Sequence, residues 1–282
     1  YDNIGDMANK GVELELNYIP VNKKNFTWKI NLNLTHYKNK ITYLPDEKKT
    51  TVMDGHGGYM NGSRYYGEDL PINTWYMKRF AGLSEDGLSL WYYTDKETNE
   101  EKTTTTYSTG DFYLCGDPNP DLYGGFGTSI TFHGFDLSTQ FSYLVGGLTY
   151  DYGYAGMMGN PTATSVGNRW HKDVLKAWSP ENPSSTIPRW HFNDLNTTGS
   201  SDRFLIDGSY LNLQNIQVGY TLPDSWTSHL KIKNLRLYFV CDNVYYWSKR
   251  KGLDPRRSIS GVGTSGKIAP FRTYSGGISL QF

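Results

Sequence analysis

Val12-Glu13-Leu14-Glu15-Leu16-Asn17-Tyr18, followed after a short break by Phe26-Thr27-Trp28-Lys29-Ile30-Asn31-Leu32-Asn33-Leu34-Thr35, alternates apolar and polar side chains without a fault. Successive side chains of an extended chain point to opposite faces, so each run is a strand with one apolar and one polar face. Pro20 to Asn25 reads as the turn between them. The same grammar returns downstream. Phe135, Leu137, Thr139, Phe141, Tyr143 and Val145 oppose Asp136, Ser138, Gln140 and Ser142. A tight His133-Gly134 corner joins that strand to Leu122–Phe132. Leu235, Leu237 and Phe239 alternate with Arg236 and Tyr238, and Tyr274, Ile278, Leu280 and Phe282 share the face of a last strand.

In Tyr210–Tyr220 the pattern changes phase. Leu211 and Leu213 are apolar at odd positions, Ile216, Val218 and Tyr220 at even ones. A shift of one residue flips every later side chain, so a β-bulge is expected near Gln214-Asn215.

About nine long strands follow: 10–20, 25–39, 59–66, 72–82, 121–133, 135–146, 203–220, 231–246 and 270–282. Their connections alternate in length. Short ones lie near 21–24, 67–71, 134 and 221–230; long ones span 40–58, 83–120, 147–202 and 247–269. Short turns on one rim and long loops on the other is the arrangement of an outer-membrane β-barrel. A β-sandwich alternates in the same way, but its strands run to about 5–6 residues, whereas these run to about 11–16. An odd strand count does not make a complete bacterial barrel, so the chain is expected to be part of a longer one. The start at Tyr1, with no export signal, points the same way.

Composition agrees. Aromatics reach 15%, with 23 Tyr and 8 Trp, and 30 Gly supply turns. Such a mix favours strands over helices. The formal net charge of zero gives no footprint for nucleic acid. No run approaches the roughly 18 apolar residues of a membrane helix, and the low mean hydropathy is uninformative, since a barrel strand needs only one apolar face. Cys115 and Cys241 form no CxxC pair and read as two separate thiols or one disulfide.

Chemistry is sparse. His36, His56, His133, His171, His191 and His229 lack zinc spacing. GxSxG, P-loop and HExxH motifs are absent. Asp117-Pro118-Asn119-Pro120-Asp121 imitates the start of a calcium loop, but Leu122 stands where glycine is needed, so it reads as a turn. No enzyme, metal or cofactor is expected. Glu13, Glu15, Asn31, Asn33, Gln140 and Arg236 are expected to face a wet lumen. Leu14, Trp28, Leu32, Phe141 and Leu280 are expected to face lipid. Trp91, Tyr92, Tyr93, Trp170 and Trp190 fall in predicted external loops. They are candidates for ligand stacking or lid contact, or simply for loop packing, the reading that also suits Trp178.

Several stretches resemble SusC/RagA-type TonB-dependent outer-membrane transporters. Asn3-Ile4-Gly5 with Asn9-Lys10-Gly11-Val12-Glu13-Leu14 is similar to a strand opening of that family. Trp178-Ser179-Pro180-Glu181-Asn182-Pro183 with Pro188-Arg189 resembles its "WTPENP…PR" loop. Asp207-Gly208-Ser209-Tyr210-Leu211-Asn212-Leu213-Gln214-Asn215-Ile216 and Gly219-Tyr220-Thr221-Leu222-Pro223 resemble "DGSYLRLKNI…LGYTLP". Asp242-Asn243-Val244, Gly252-Leu253-Asp254-Pro255 and the terminal Phe282 complete the series in the family's order. Asn212 stands where Arg is usual and Asp242 where Gln is usual. Lys96–Thr106 replaces the family's "D-x-NGDG" stretch, a possible calcium site.

The resemblance implies that 1–282 is the C-terminal portion of a 22-stranded barrel, its last nine or so strands. The N-terminal plug and earlier strands would lie outside this chain. It implies TonB-energised import of oligosaccharides or peptides across the bacterial outer membrane, and a SusD-like surface lipoprotein as lid. It allows two transporter–lipoprotein pairs to associate as a dimer. Phe282 would then serve as an assembly signal. A passive channel or structural barrel, or a secreted carbohydrate-binding β-sandwich, are the other readings.

Overall fold

The two alternating runs at the start of the chain pair with each other, and that pairing sets the rest. In the computed structural model, which describes residues 5–163, 169–197, 199–227, 229, 231–257, 260–262 and 270–282, Asp6–Lys23 and Phe26–Tyr43 form an antiparallel hairpin. The strand runs on through Pro20, absorbing the misfit in a bulge between Tyr18 and Val21, so the turn itself is only Lys24-Asn25.

Five further strands extend this hairpin into a seven-stranded sheet: Leu122–Phe132, Phe135–Val145, Tyr210–Thr221, Asn234–Ser248 and Thr273–Gln281, each beside its predecessor. All neighbours are antiparallel. The phase change foreseen in Tyr210–Tyr220 is a bulge. Asn215 pairs with Gln140 but Leu213 with Phe141, which leaves Gln214 as the extra residue. Asn243, opposite the bulge on the next strand, takes a positive φ of 52°.

Seven long strands, not nine, make this sheet. The predicted strand 59–66 and the first part of 72–82 belong instead to a small five-stranded sheet, which pairs His56–Asn61, Arg64–Gly67 and Thr74–Lys78 with Thr51–Met53 and Phe112–Leu114, while Phe80–Leu83 joins a three-stranded sheet with Ser89–Thr94 and Glu101–Thr104. Thr74–Lys78 is buried at every position. A strand covered on both faces loses the alternation that marks the long strands. Residues 44–121 are thus one excursion that leaves the second long strand and returns to pair directly beside it. With seven strands the connections alternate without exception: short at 24–25, 133–134 and 222–233, long at 44–121, 146–209 and 249–272.

The long connections pack into a layer with its own core. Trp75, Met77, Tyr150, Met158 and Phe204 cluster there. The long strands contribute nothing to that cluster, and their apolar face carries Val12, Leu14, Leu16, Phe132, Phe135, Leu237, Phe239, Ile278 and Leu280, all exposed. No second sheet covers that face among the described residues, which removes the β-sandwich reading. Cys115 and Cys241 are both free thiols, and burial pushes the Cys115 thiol up to about 11.

Near the short-turn rim the polar face is tied by one ion pair across three strands. Arg236 Nε donates to Asp136 Oδ1 at 2.9 Å and Nη2 to Oδ2 at 2.5 Å. The strand between them offers Gly219, where a Cβ would lie 2.4 Å from Arg236 Nη2 and 2.5 Å from Asp136 Oδ1. Glycine is what lets the two side chains meet over the intervening strand. Both obstructing atoms are ends of flexible side chains, so Gly219→Val is expected to cost the ion pair rather than to jam the backbone. The loss is about 1–2 kcal/mol, read as a lower temperature for heat-induced change in gel mobility; an unchanged transition would refute the role given to Gly219.

Candidate functional site: the polar face and its loop layer

Because each side chain shares its face with its cross-strand partner, the register carries the polar/apolar sorting across the whole sheet. One polar row reads Asn17, Asn31, Gly127, Gln140, Asn215, Asp242, Thr273, one residue from each strand. The next reads Glu15, Asn33, Gly125, Ser142, Asn212, Tyr246. The apolar row between them reads Leu16, Leu32, Phe126, Phe141, Leu213, Tyr245. Glu13, Glu15, Asn31, Asn33, Gln140 and Arg236 therefore lie on one face, and Leu14, Trp28, Leu32, Phe141 and Leu280 on the other. The bulge at Gln214 is what keeps Leu211 and Leu213 in phase with Ile216 and Val218. Trp28 reconciles its indole with the apolar face by donating to Thr128 Oγ1 at 2.8 Å.

The polar face is hollow. Asn17, Lys29, Asn31, Gly127, Ser129, Ser138, Gln140 and Asn215 line a concavity of about 530 Å³. A second, of about 750 Å³, lies where the loop layer meets the strands, between Asn9, Glu13, Tyr37, Asn39, Asn73, Asn119, Tyr210 and Arg256. Amide side chains recur in both, beside Lys29 in the first and Glu13 and Arg256 in the second. An amide presents donors and an acceptor together, so a wall of them can bond hydroxyls or peptide groups without committing to one charge. Some of these groups already serve the frame. Asn33 Oδ1 accepts from the Gly125 amide at 2.8 Å, and Asn215 Nδ2 donates to Asp242 Oδ1 at 2.7 Å.

The last loop is clamped onto this face. Asp254 is nearly fully buried and takes a two-point contact from Arg256, Nε to Oδ1 at 2.8 Å and Nη2 to Oδ2 at 2.7 Å. That carboxylate holds the Arg256 guanidinium above its usual value. Nη1 of Arg256 then donates to Asn212 Oδ1 at 2.6 Å, and Asn212 Nδ2 to Ser142 Oγ at 3.3 Å. A shorter side chain at 212 leaves space for an arginine brought in by the loop. Asn212→Ala strips Arg256 of that acceptor, at a cost of about 1–2 kcal/mol. Faster amide hydrogen exchange through 250–256 is the expected signature, and exchange as slow as in the parent would refute the clamp.

The aromatic candidates separate. Trp91 is wholly buried, with Phe80 and Tyr107 edge-on at 5.7 Å and 5.1 Å, so it offers no ring face to a ligand: it is a packing residue. Tyr92 and Tyr93 are half-buried, and Arg79 sits 4.6 Å over the Tyr92 ring. Trp170 and Trp190 pack edge to face at 5.6 Å, leaving Trp190 45% exposed beside exposed Phe192. Trp178 lies over Gly87, where a Cβ would come within 2.4 Å of the indole and where φ is +73°. Asp117-Pro118-Asn119 closes a turn, the Asn119 amide donating to Asp117 Oδ1 at 2.9 Å.

Arg64 and Arg203 of the loop layer are buried against aromatic rings with no carboxylate of the described residues in ion-pair distance, and sequence pattern did not single them out. Arg64 lies 3.1 Å from the Trp75 ring centre and donates to the Asn73 and Ser260 carbonyls. Arg203 sits between Phe80 and Phe204 at 5.3 Å and 5.0 Å. Burial brings both guanidinium groups down to about 10. Aromatic faces stand in for counterions there.

No family model matches the chain. Its sequence is similar to TonB-dependent receptor P3 of Formosa agariphila, 29% identical over 99% of this chain and 29% of that protein. It is also similar to TonB-dependent receptor SusC of Bacteroides thetaiotaomicron, 26% identical over 99% of this chain and 27% of that protein. The chain thus spans less than a third of the length of these relatives. Its fold matches the structure of the RagAB peptide transporter with a TM-score of 0.81, at 24% identity over the whole chain and 30% of the other. The same importer in its "open-open" state matches with a TM-score of 0.79 at 25% identity.

Proposed function

We propose that this chain, which is similar to SusC/RagA-type TonB-dependent receptors, forms part of the wall of an outer-membrane nutrient importer and serves transport rather than catalysis. The observation that carries the proposal is the sorting of apolar from polar side chains through the middle of seven paired strands. In this reading Leu14, Trp28, Leu32, Phe141 and Leu280 meet lipid, and Glu13, Glu15, Asn31, Asn33, Gln140 and Arg236 meet a watery lumen. Aromatics gather near both edges of the apolar band, Phe26, Phe132, Phe135 and Tyr220 at the short-turn side and Tyr143, Tyr245 and Trp247 at the other, as interfacial girdles do.

Among the described residues the first and last strands of the sheet each have one neighbour only. An open edge in a membrane is untenable, so further strands close the barrel in this reading, and a plug fills it as the relatives' class implies. The long loops form the outer mouth. There Trp190, Phe192 and the half-buried Tyr92 and Tyr93 make the surface on which a SusD-like lipoprotein closes. Phe282, exposed just beyond the last strand, is the assembly signal. Substrates are oligosaccharides or peptides, whose hydroxyl and peptide groups suit hollows that mix amides with a few charges. Energy comes through TonB.

Uptake of labelled oligosaccharides and peptides by cells carrying the full-length protein tests this. Import should stop when a protonophore collapses the proton gradient. Uptake that continues unchanged would favour the passive channel.

A further inference from the structure

The apolar face does not stay apolar up to the long-loop rim. Beyond the pair Leu14–Leu34, the same face continues as Val12 opposite His36, then Lys10 opposite Lys38, then Ala8 opposite Lys40. Lys10 and Lys38 are directly paired and both exposed. Like charges so placed repel, with Cβ atoms about 5 Å apart. Lys40 is compensated by Asp69 at 2.5 Å. Among the described residues no carboxylate comes within ion-pair distance of Lys10 or Lys38. Glu13 and Glu15 point to the opposite face.

We propose that Lys10 and Lys38 form a docking site for the phosphate group of an outer-leaflet lipid. The inference rests on the reading of the apolar face as the lipid face. Four residues along each strand put the lysine pair about 13 Å beyond Leu14 and Leu34. With a strand tilt near 40°, that is about 10 Å in height above Leu14 and about 15 Å above Leu32, just past the half-height of an apolar band about 25 Å tall and so in the headgroup layer. A phosphate between the two ammonium groups turns their repulsion into two charge-assisted hydrogen bonds. Ala8, the small neighbour on the loop side, leaves the approach open. Val12, Leu14 and Leu34 below supply the surface for acyl chains, which a free anion in water could not use. That contact is why a lipid, and not dissolved phosphate, is the fitting ligand.

The test uses the full-length receptor in detergent, with native mass spectrometry after addition of a phosphorylated glycolipid or of its dephosphorylated form. The parent should retain the phosphorylated lipid, and the Lys10→Gln/Lys38→Gln variant should retain about tenfold less. Equal retention by the variant, equal retention of the dephosphorylated lipid, or full displacement by millimolar inorganic phosphate would each overturn the proposal. Heat-modifiable gel mobility confirms that the variant is folded. A spin label at Leu14→Cys, with Cys115→Ser and Cys241→Ser so that no other thiol of this chain is labelled, separates the two levels: a label not quenched by a lipid-soluble reagent sinks the reading of the face itself, whereas a quenched label with unselective lipid retention sinks only the phosphate site.

Discussion

Leu32→Arg is expected to lower the stability of the protein in a bilayer by about 2–4 kcal/mol, the cost of a cation on the lipid face of a barrel at mid-depth. Leu32 sits in the middle of the apolar row, between Leu16 and Phe126, so the new guanidinium has no polar partner within that row. The neighbouring substitution Asn31→Lys should cost under 1 kcal/mol, because position 31 opens onto the polar hollow and Lys29 already stands there. Folding titrations in lipid vesicles measure both. The contrast between adjacent residues carries the argument. Equal losses at 31 and 32 would mean that the two faces see the same surroundings, and the assignment of lumen and lipid would fail.

Trp75→Ala should instead unravel the loop layer and spare the strands. Trp75 is completely buried, packs on Tyr150 with ring centres 5.8 Å apart and donates its indole N–H to the Leu148 carbonyl at 3.1 Å. It also provides the ring against which Arg64 rests. Removing it leaves a large void and a buried guanidinium without its aromatic face. A loss of about 3–5 kcal/mol within the layer is expected. Limited proteolysis should then cut within 44–121 and 146–209 while the long strands remain protected and the heat-modifiable mobility persists. Simultaneous loss of both would show that layer and sheet fold as one unit, contrary to the separation of their packing.

The long strands were legible because their information is local. Strict alternation in 12–18 and 26–35 assigns each side chain to a face whatever the partner strand is, and the phase slip at Gln214 betrays its own bulge. The candidate residues on the two faces were legible for the same reason. The turn spans only Lys24-Asn25 and not all of Pro20 to Asn25, because Pro20 mimics a break that the structure accommodates in a bulge.

What the sequence could not supply is everything set by contacts between distant segments. Whether 59–66 and 72–82 stand in the long sheet or in the loop layer depends on what covers their second face, and no window of residues contains that. Trp91 and Trp190 look alike as loop aromatics, yet one is entombed between Phe80 and Tyr107 and the other is open. Asp136 reaches Arg236 only because Gly219 happens to lie between their strands, and Arg256 reaches Asn212 only once its loop folds back. Alternation is a property of consecutive bonds and is therefore written in the chain; burial and pairing are properties of three-dimensional neighbours, which only the assembled sheet and its loops bring together.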